Sequence, residues 1–184
     1  MNVKEFLILI EVASNAAGVM KRMATLSRPD YVGAHAVPAD LNGLTMGQLM
    51  ELQGVKTVAD CIFIPPRVIL GMEREEVMAT KVDEIFGLAN WASEEMKRIA
   101  KLFEATSVPP TPEEEKAGIG KLSFGMFGLL DYYAQRMGIT DHAEVERVPW
   151  VRVYKCMEID AERIKFDRRL RKIYQEQSNI PRRR

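Results

Sequence analysis

The sequence predicts an all-α protein, a compact multi-helix fold in two helical lobes joined by a Pro-rich linker. Three observations carry that prediction. Apolar residues recur at three- and four-residue steps nearly throughout, helix start signals precede several of these runs, and no alternating β-rich run of useful length occurs.

The N-terminal run from Val3 to about Thr25 reads as helical, and the Pro- and Gly-punctuated stretch 27–42 reads as a loop. In LTMGQLMELQG, Thr45 and Gln48 form a Ser/Thr-x-x-Gln start signal and Gly54 is placed to stop the helix. Thr57 and Asp60 open a further helix through Cys61, Ile62 and Phe63. Pro65-Pro66 should break or kink it, because proline lacks the amide donor that a helix interior uses. Val82, Ile85, Phe86, Ala89, Ala92, Met96, Ile99 and Phe103 mark one long amphipathic helix, with Thr80 and Asp83 as its expected capping pair.

SVPPTPEE reads as the linker, closing with a short turn that Thr111 caps and Pro112 begins. A helix is expected from Leu122 onward, with Gly138 as its stop. In FGMFGLL, Gly125 and Gly128 each cost about 1 kcal/mol against alanine, which points to close approach by another helix, the favoured reading, or to a segment meant to bend. Pro149-Trp150 starts a last long helix, whose apolar positions slip in register near Asp160. The expected boundaries are an N-terminal lobe over 1–106, a linker and hinge over 107–121, a C-terminal lobe over 122–177 and a basic flexible tail over 178–184.

At 184 residues, 47% apolar and 28% charged, the composition is that of an ordinary globular protein. Acids and bases balance, so the whole molecule has no polyelectrolyte attraction to nucleic acid or anionic membrane. Residues 161–184 hold nine Lys or Arg against three Asp or Glu, a local charge of +6. Cys61 and Cys156 stand far apart among apolar neighbours and read as buried free thiols. The opening has neither a secretory signal's apolar region nor a spanning helix, so a cytoplasmic location is expected.

One stretch imitates chemistry. EEEKAGIGKLSFG carries Gly120-Lys121, but a phosphate loop reads Gly-x-x-x-x-Gly-Lys-Ser/Thr. Here Glu115 occupies the first glycine position and Leu122 the hydroxyl position, so a hinge between helices is the better reading. His35 and His142 lie at no zinc-ligand spacing from a cysteine, and Asp141 reads as a helix cap with Glu144 and Glu146 following it. No catalytic, cofactor-binding or metal-binding residue is assigned, and the chain is expected not to be an enzyme. Eleven methionines supply adaptable apolar surface, with Met46 and Met50 on one short helix.

The order LTMGQLMELQ, then ADCIFIPPRVILGM, then KVDEIFGLANWASEEMKRIAKLF resembles the tail assembly chaperones of long-tailed bacteriophages and prophages. FGMFGLLDYYAQRMGI and VPWVRVYKCM are similar to the second half of such proteins, and the likeness covers roughly residues 41–171. The resemblance implies a compact all-helical fold that binds the tape measure protein, the tail tube protein or both during tail assembly. It implies no catalytic residue and no cofactor. Apolar grooves lined by Met46, Leu49, Met50, Phe124, Phe127, Tyr132 and Trp150 would shield the partner. The alternatives are a structural virion part such as a head–tail connector, or a nucleic-acid-binding regulator that uses the Arg-rich C-terminus.

Overall fold

The computed structural model of the chain describes residues 1–178, which are arranged as ten α-helices and one minimal hairpin, and the structure is 69% helical. The helices are α1 (Val3–Val12), α2 (Ala16–Met23), α3 (Met46–Gln53), α4 (Val58–Leu70) and α5 (Arg74–Ala79). There follow α6 (Val82–Ala105), α7 (Pro112–Lys116), α8 (Gly125–Met137), α9 (His142–Glu146) and α10 (Trp150–Ser178). The all-α class predicted from the sequence is therefore what the chain adopts. The tail assigned to 178–184 lies almost wholly outside the described residues.

Local chemistry fixes several boundaries. Thr45, Thr57 and Thr111 each cap a helix by accepting from the backbone N–H three residues on. Gln48, Asp60 and Glu114 reach back to the three cap amides. Other expectations need correction. The N-terminal run divides into α1 and α2, and Asn2 and Asn15 cap them by accepting from Glu5 and Gly18. The stretch 27–42 contains the antiparallel pair β1 (Tyr31–Val32) and β2 (His35–Ala36). α4 continues through Pro65 and Pro66, which are buried and held by packing although two amide donors are missing.

The Thr80–Asp83 cap does not form. Thr80 instead donates its hydroxyl to the Glu76 carbonyl, and Lys81 at the α6 N-cap makes no side-chain cap bond. Backbone from elsewhere in the chain does the work. The first helical amide of α1, Val3 N–H, donates to Thr80 O at 3.0 Å, and that of α6, Val82 N–H, donates to Met1 O at 3.2 Å. The same device recurs between α3 and α10, where Met46 N–H donates to Val148 O at 2.9 Å and Trp150 N–H to Leu44 O at 3.1 Å. Each pair of helices thus starts from a shared antiparallel bridge, which satisfies amides that a helix leaves without internal partners.

The apolar core forms two clusters. One gathers α1, the hairpin, α5 and the first half of α6 around Phe6, Ile62, Met72 and Ile85. The other joins Leu41, Met46, Leu49 and Ile99 to Leu130, Tyr133, Val145 and Trp150. The second cluster draws on residues from both sides of 107–121, so packing does not divide the chain at that stretch. The GIGK segment forms a 3₁₀ turn, Ile119–Lys121, that follows α7 directly.

The glycines of FGMFGLL also differ from expectation. Gly125 has φ +55°, a left-handed conformation at the start of α8, and a Cβ on Gly128 would meet Phe124 of its own segment at 2.9 Å. They serve a turn that begins α8 three residues later than expected, and no second helix approaches them. Cys61 and Cys156 are free thiols, half-buried where full burial was expected.

Candidate protein-binding cleft

The small residues of α6 build a partly enclosed apolar surface. Ala89, Ala92, Ser93, Met96 and Ala100 form the floor of a cleft of about 560 Å³. Leu52 and Val55 at the end of α3, with Cys61 and Pro65 of α4, make one wall, and Met20 of α2 with Ala24 just after it makes the other. Polar groups are confined to Gln53, Asn90, Ser93 and Lys97. Small side chains on a helix leave a trough beside larger neighbours, and here the trough runs along about three turns of α6.

Two contacts fix the α2 wall against α6. Asn90 donates its side-chain amide to Met23 O at 2.8 Å and Leu26 O at 3.0 Å, which caps the end of α2 from outside. Gly87 lets the following segment lie directly on α6, since a Cβ there would stand 2.4 Å from Ser27 O and 3.1 Å from Pro29 Cδ. On the opposite wall, burial and the charge of Asp60 push the Cys61 thiol above its ordinary value. It therefore presents a neutral, weakly polar surface where a thiolate would bring reactivity. A cleft of this make-up offers contact to an apolar helix or strand.

The residues assigned to partner binding are dispersed. Met46, Leu49 and Trp150 are buried in the second core cluster. Met50 is half-buried against that cluster. Tyr132 is half-buried between α8 and α10, where it donates to Asp160 at 2.5 Å while Arg136 also pairs with Asp160. Only Phe124 and Phe127 are well exposed, at 68% and 56%, at the start of α8 beside the exposed Leu122. None of the seven lines the cleft. Sequence reading missed it because its signal is the run of alanines and Ser93 on one side of α6, which reads first as helix propensity.

The remaining polar candidates are held by local partners. His35 hydrogen-bonds Glu76 at 2.7 Å, and His142 lies on the Phe127 ring with 4.9 Å between centroids. Asp141 caps α9 by accepting from Ala143 N–H. Among the described residues no group of three His, Cys, Asp or Glu could hold a metal ion, and no helix is long and apolar enough to cross a membrane. On α10, Arg168 is taken up by Pro109 O and Glu114, while Lys165 pairs with Glu162. Arg182, Arg183 and Arg184 lie outside the described residues.

No protein-family model matches the chain, and neither a curated protein nor a solved structure matches it.

Proposed function

We propose that the protein is a non-enzymatic assembly chaperone of a long-tailed phage or prophage. It would bind tape measure protein, tail tube protein or both in the cytoplasm of the bacterial host. The observation that carries this reading is a convergence. Of the five stretches that resemble tail assembly chaperones, the first three form α3, α4 and α6, and residues from each of these line the apolar cleft. An amphipathic helix seated there would bury its apolar face on the alanine floor, with Met20 and Met96 adjusting to its side chains. Binding by burial of apolar surface is reversible and asks for no reactive group, as shielding of an assembly intermediate requires.

Co-expression with tape measure and tail tube genes from phages of the same host tests the reading. The wild-type chain is expected to keep a tape measure or tube protein soluble and to co-purify with it. Ser93→Glu with Ala100→Glu, both exposed on the cleft floor, is expected to abolish capture while the fold is retained by circular dichroism. Capture that persists undiminished in this variant, or no capture by the wild type, would overturn the proposal.

A further inference from the structure

α10 has two apolar sides. Its inner side, with Val153, Met157, Ala161 and Ile164, faces α8 and the stretch after α6. Directly opposite run Ile159, Phe166 and Ile173, which recur every seven residues, with Arg163 and Leu170 interleaved at steps of three and four, while Cys156 packs inward against the core. The apparent register slip near Asp160 is the point where the sequence begins to serve this outer side. Ile159, Phe166 and Ile173 are each about half exposed, at 47%, 54% and 48%. Such a repeat is the seam of a two-helix coil.

We propose that the chain self-associates through this seam, as a two-fold symmetric dimer in which α10 pairs antiparallel with α10 of a second copy. The charges at the seam's edge select that occupant. One edge carries Lys155, Glu162, Arg169 and Glu176 in succession, also seven apart, with alternating sign. In an antiparallel pair centred between Ile164 and Lys165, Glu162, which also pairs with Lys165 of its own chain, meets Arg169 of the second copy, and Lys155, which also pairs with Glu158, meets Glu176. Symmetry repeats both contacts. The same register sets Ile159 against Leu170 and Phe166 against the aliphatic stem of Arg163. On the other edge the register brings Asp160 towards Asp167 of the second copy. Asp160 is already neutralised by Arg136 and bonded by Tyr132 of its own chain, and Arg163 beside it pairs with Asp160 as well.

A parallel pair does worse. It would set Lys155 beside Asp160, whose charge Arg136 already takes up, but it would bring Glu162 to Asp167 and give Arg169 no acid. The overlap of residues 155–176 spans about 33 Å. Because α10 is already docked on the body of the molecule as far as Arg168, little further ordering of that part opposes association. The proposal does not depend on the chaperone reading, since it concerns a different surface and a different occupant.

Sedimentation velocity of the full chain over a wide concentration range tests it, with circular dichroism to check each variant's fold. The wild type is expected to form a concentration-dependent dimer, and Phe166→Glu, at an exposed position, to remain monomeric. Glu162→Arg and Arg169→Glu should each weaken the dimer by about tenfold, because each turns two symmetric attractions into repulsions. The double variant Glu162→Arg/Arg169→Glu should regain wild-type affinity. A monomeric wild type, a dimer indifferent to Phe166→Glu, or a double variant no tighter than the singles would each overturn the proposal. So would tightening by Glu162→Arg, the result that a parallel pair predicts.

Discussion

The indole N–H of Trp150 donates to the backbone carbonyl of Leu41 at 2.8 Å, and this bond is buried although 109 residues separate its partners. The Leu41 amide is engaged as well, donating to Glu95 at 3.2 Å, while Arg98 ties Glu95 to Asn42. Leu41 thus joins the start of α10 to the middle of α6. Phe103 and Tyr154 flank the Trp150 ring with centroids 5.9 and 6.2 Å away, so the indole is held in place by its neighbours.

Replacing Trp150 by Phe keeps most of that packing and removes the donor. A buried carbonyl left without a partner costs about 1–3 kcal/mol. Urea denaturation of Trp150→Phe should show a loss in that range with an unchanged slope. An unaltered midpoint would mean that the bond adds nothing to the junction.

Gly87 makes the second prediction. The contact of 2.4 Å that its Cβ would make is with the backbone carbonyl of Ser27, which has no rotamer to yield. Gly87→Ala should therefore destabilise the fold by about 1–3 kcal/mol, despite the better helix propensity of alanine. Hydrogen exchange should quicken first in α2, because Asn90 and Gly87 are what hold that wall of the cleft to α6.

These cases mark what the sequence could convey. The caps at Thr45, Thr57 and Thr111 were legible because donor and acceptor lie three residues apart. Thr80–Asp83 has the same spacing and was misread, since the α6 amide in question is satisfied by Met1, remote in the chain. Burial likewise keeps Pro65 and Pro66 inside α4, and burial is not a local property. The cleft was illegible for a related reason. Alanines and a serine on α6 become a trough only once α2, α3 and α4 stand beside them. The outer seam of α10, by contrast, was present in the sequence as a seven-residue repeat overlaid on the inner one.

The Tyr132–Asp160–Arg136 cluster predicts how stability varies with pH. Burial opposes the Asp160 charge, but hydrogen bonds from Arg136 and Tyr132 outweigh it and hold the carboxyl below its ordinary 3.8. Burial and the bond to Asp160 push the Tyr132 phenol from 10.0 up to about 12. A depressed carboxyl stabilises the fold above its unfolded value, and that contribution is lost as pH falls below about 3.8. A raised phenol stabilises below 10.0, and its contribution is lost as pH rises towards 12. Asp160→Asn should flatten both flanks of a plot of unfolding free energy against pH, and equal flanks in wild type and variant would remove the cluster from the account.

The seven residues assigned to partner binding give the last prediction, because burial divides them into two kinds. Met46 and Leu49 are 0% and 1% exposed, and truncating either to alanine leaves a cavity that costs about 2–5 kcal/mol. Loss of partner capture in such a variant would report on the fold and not on a contact. Phe124 and Phe127 are mostly in solvent, so Phe124→Ser with Phe127→Ser should leave the thermal midpoint within a few degrees of wild type. Gly128 already accommodates the Phe124 side chain, and a smaller residue relieves that contact. A large fall in the midpoint would make these rings part of the core. With the midpoint unchanged, any loss of tape measure or tube protein from the purified complex is a surface effect, and the start of α8 then joins the cleft as a second contact.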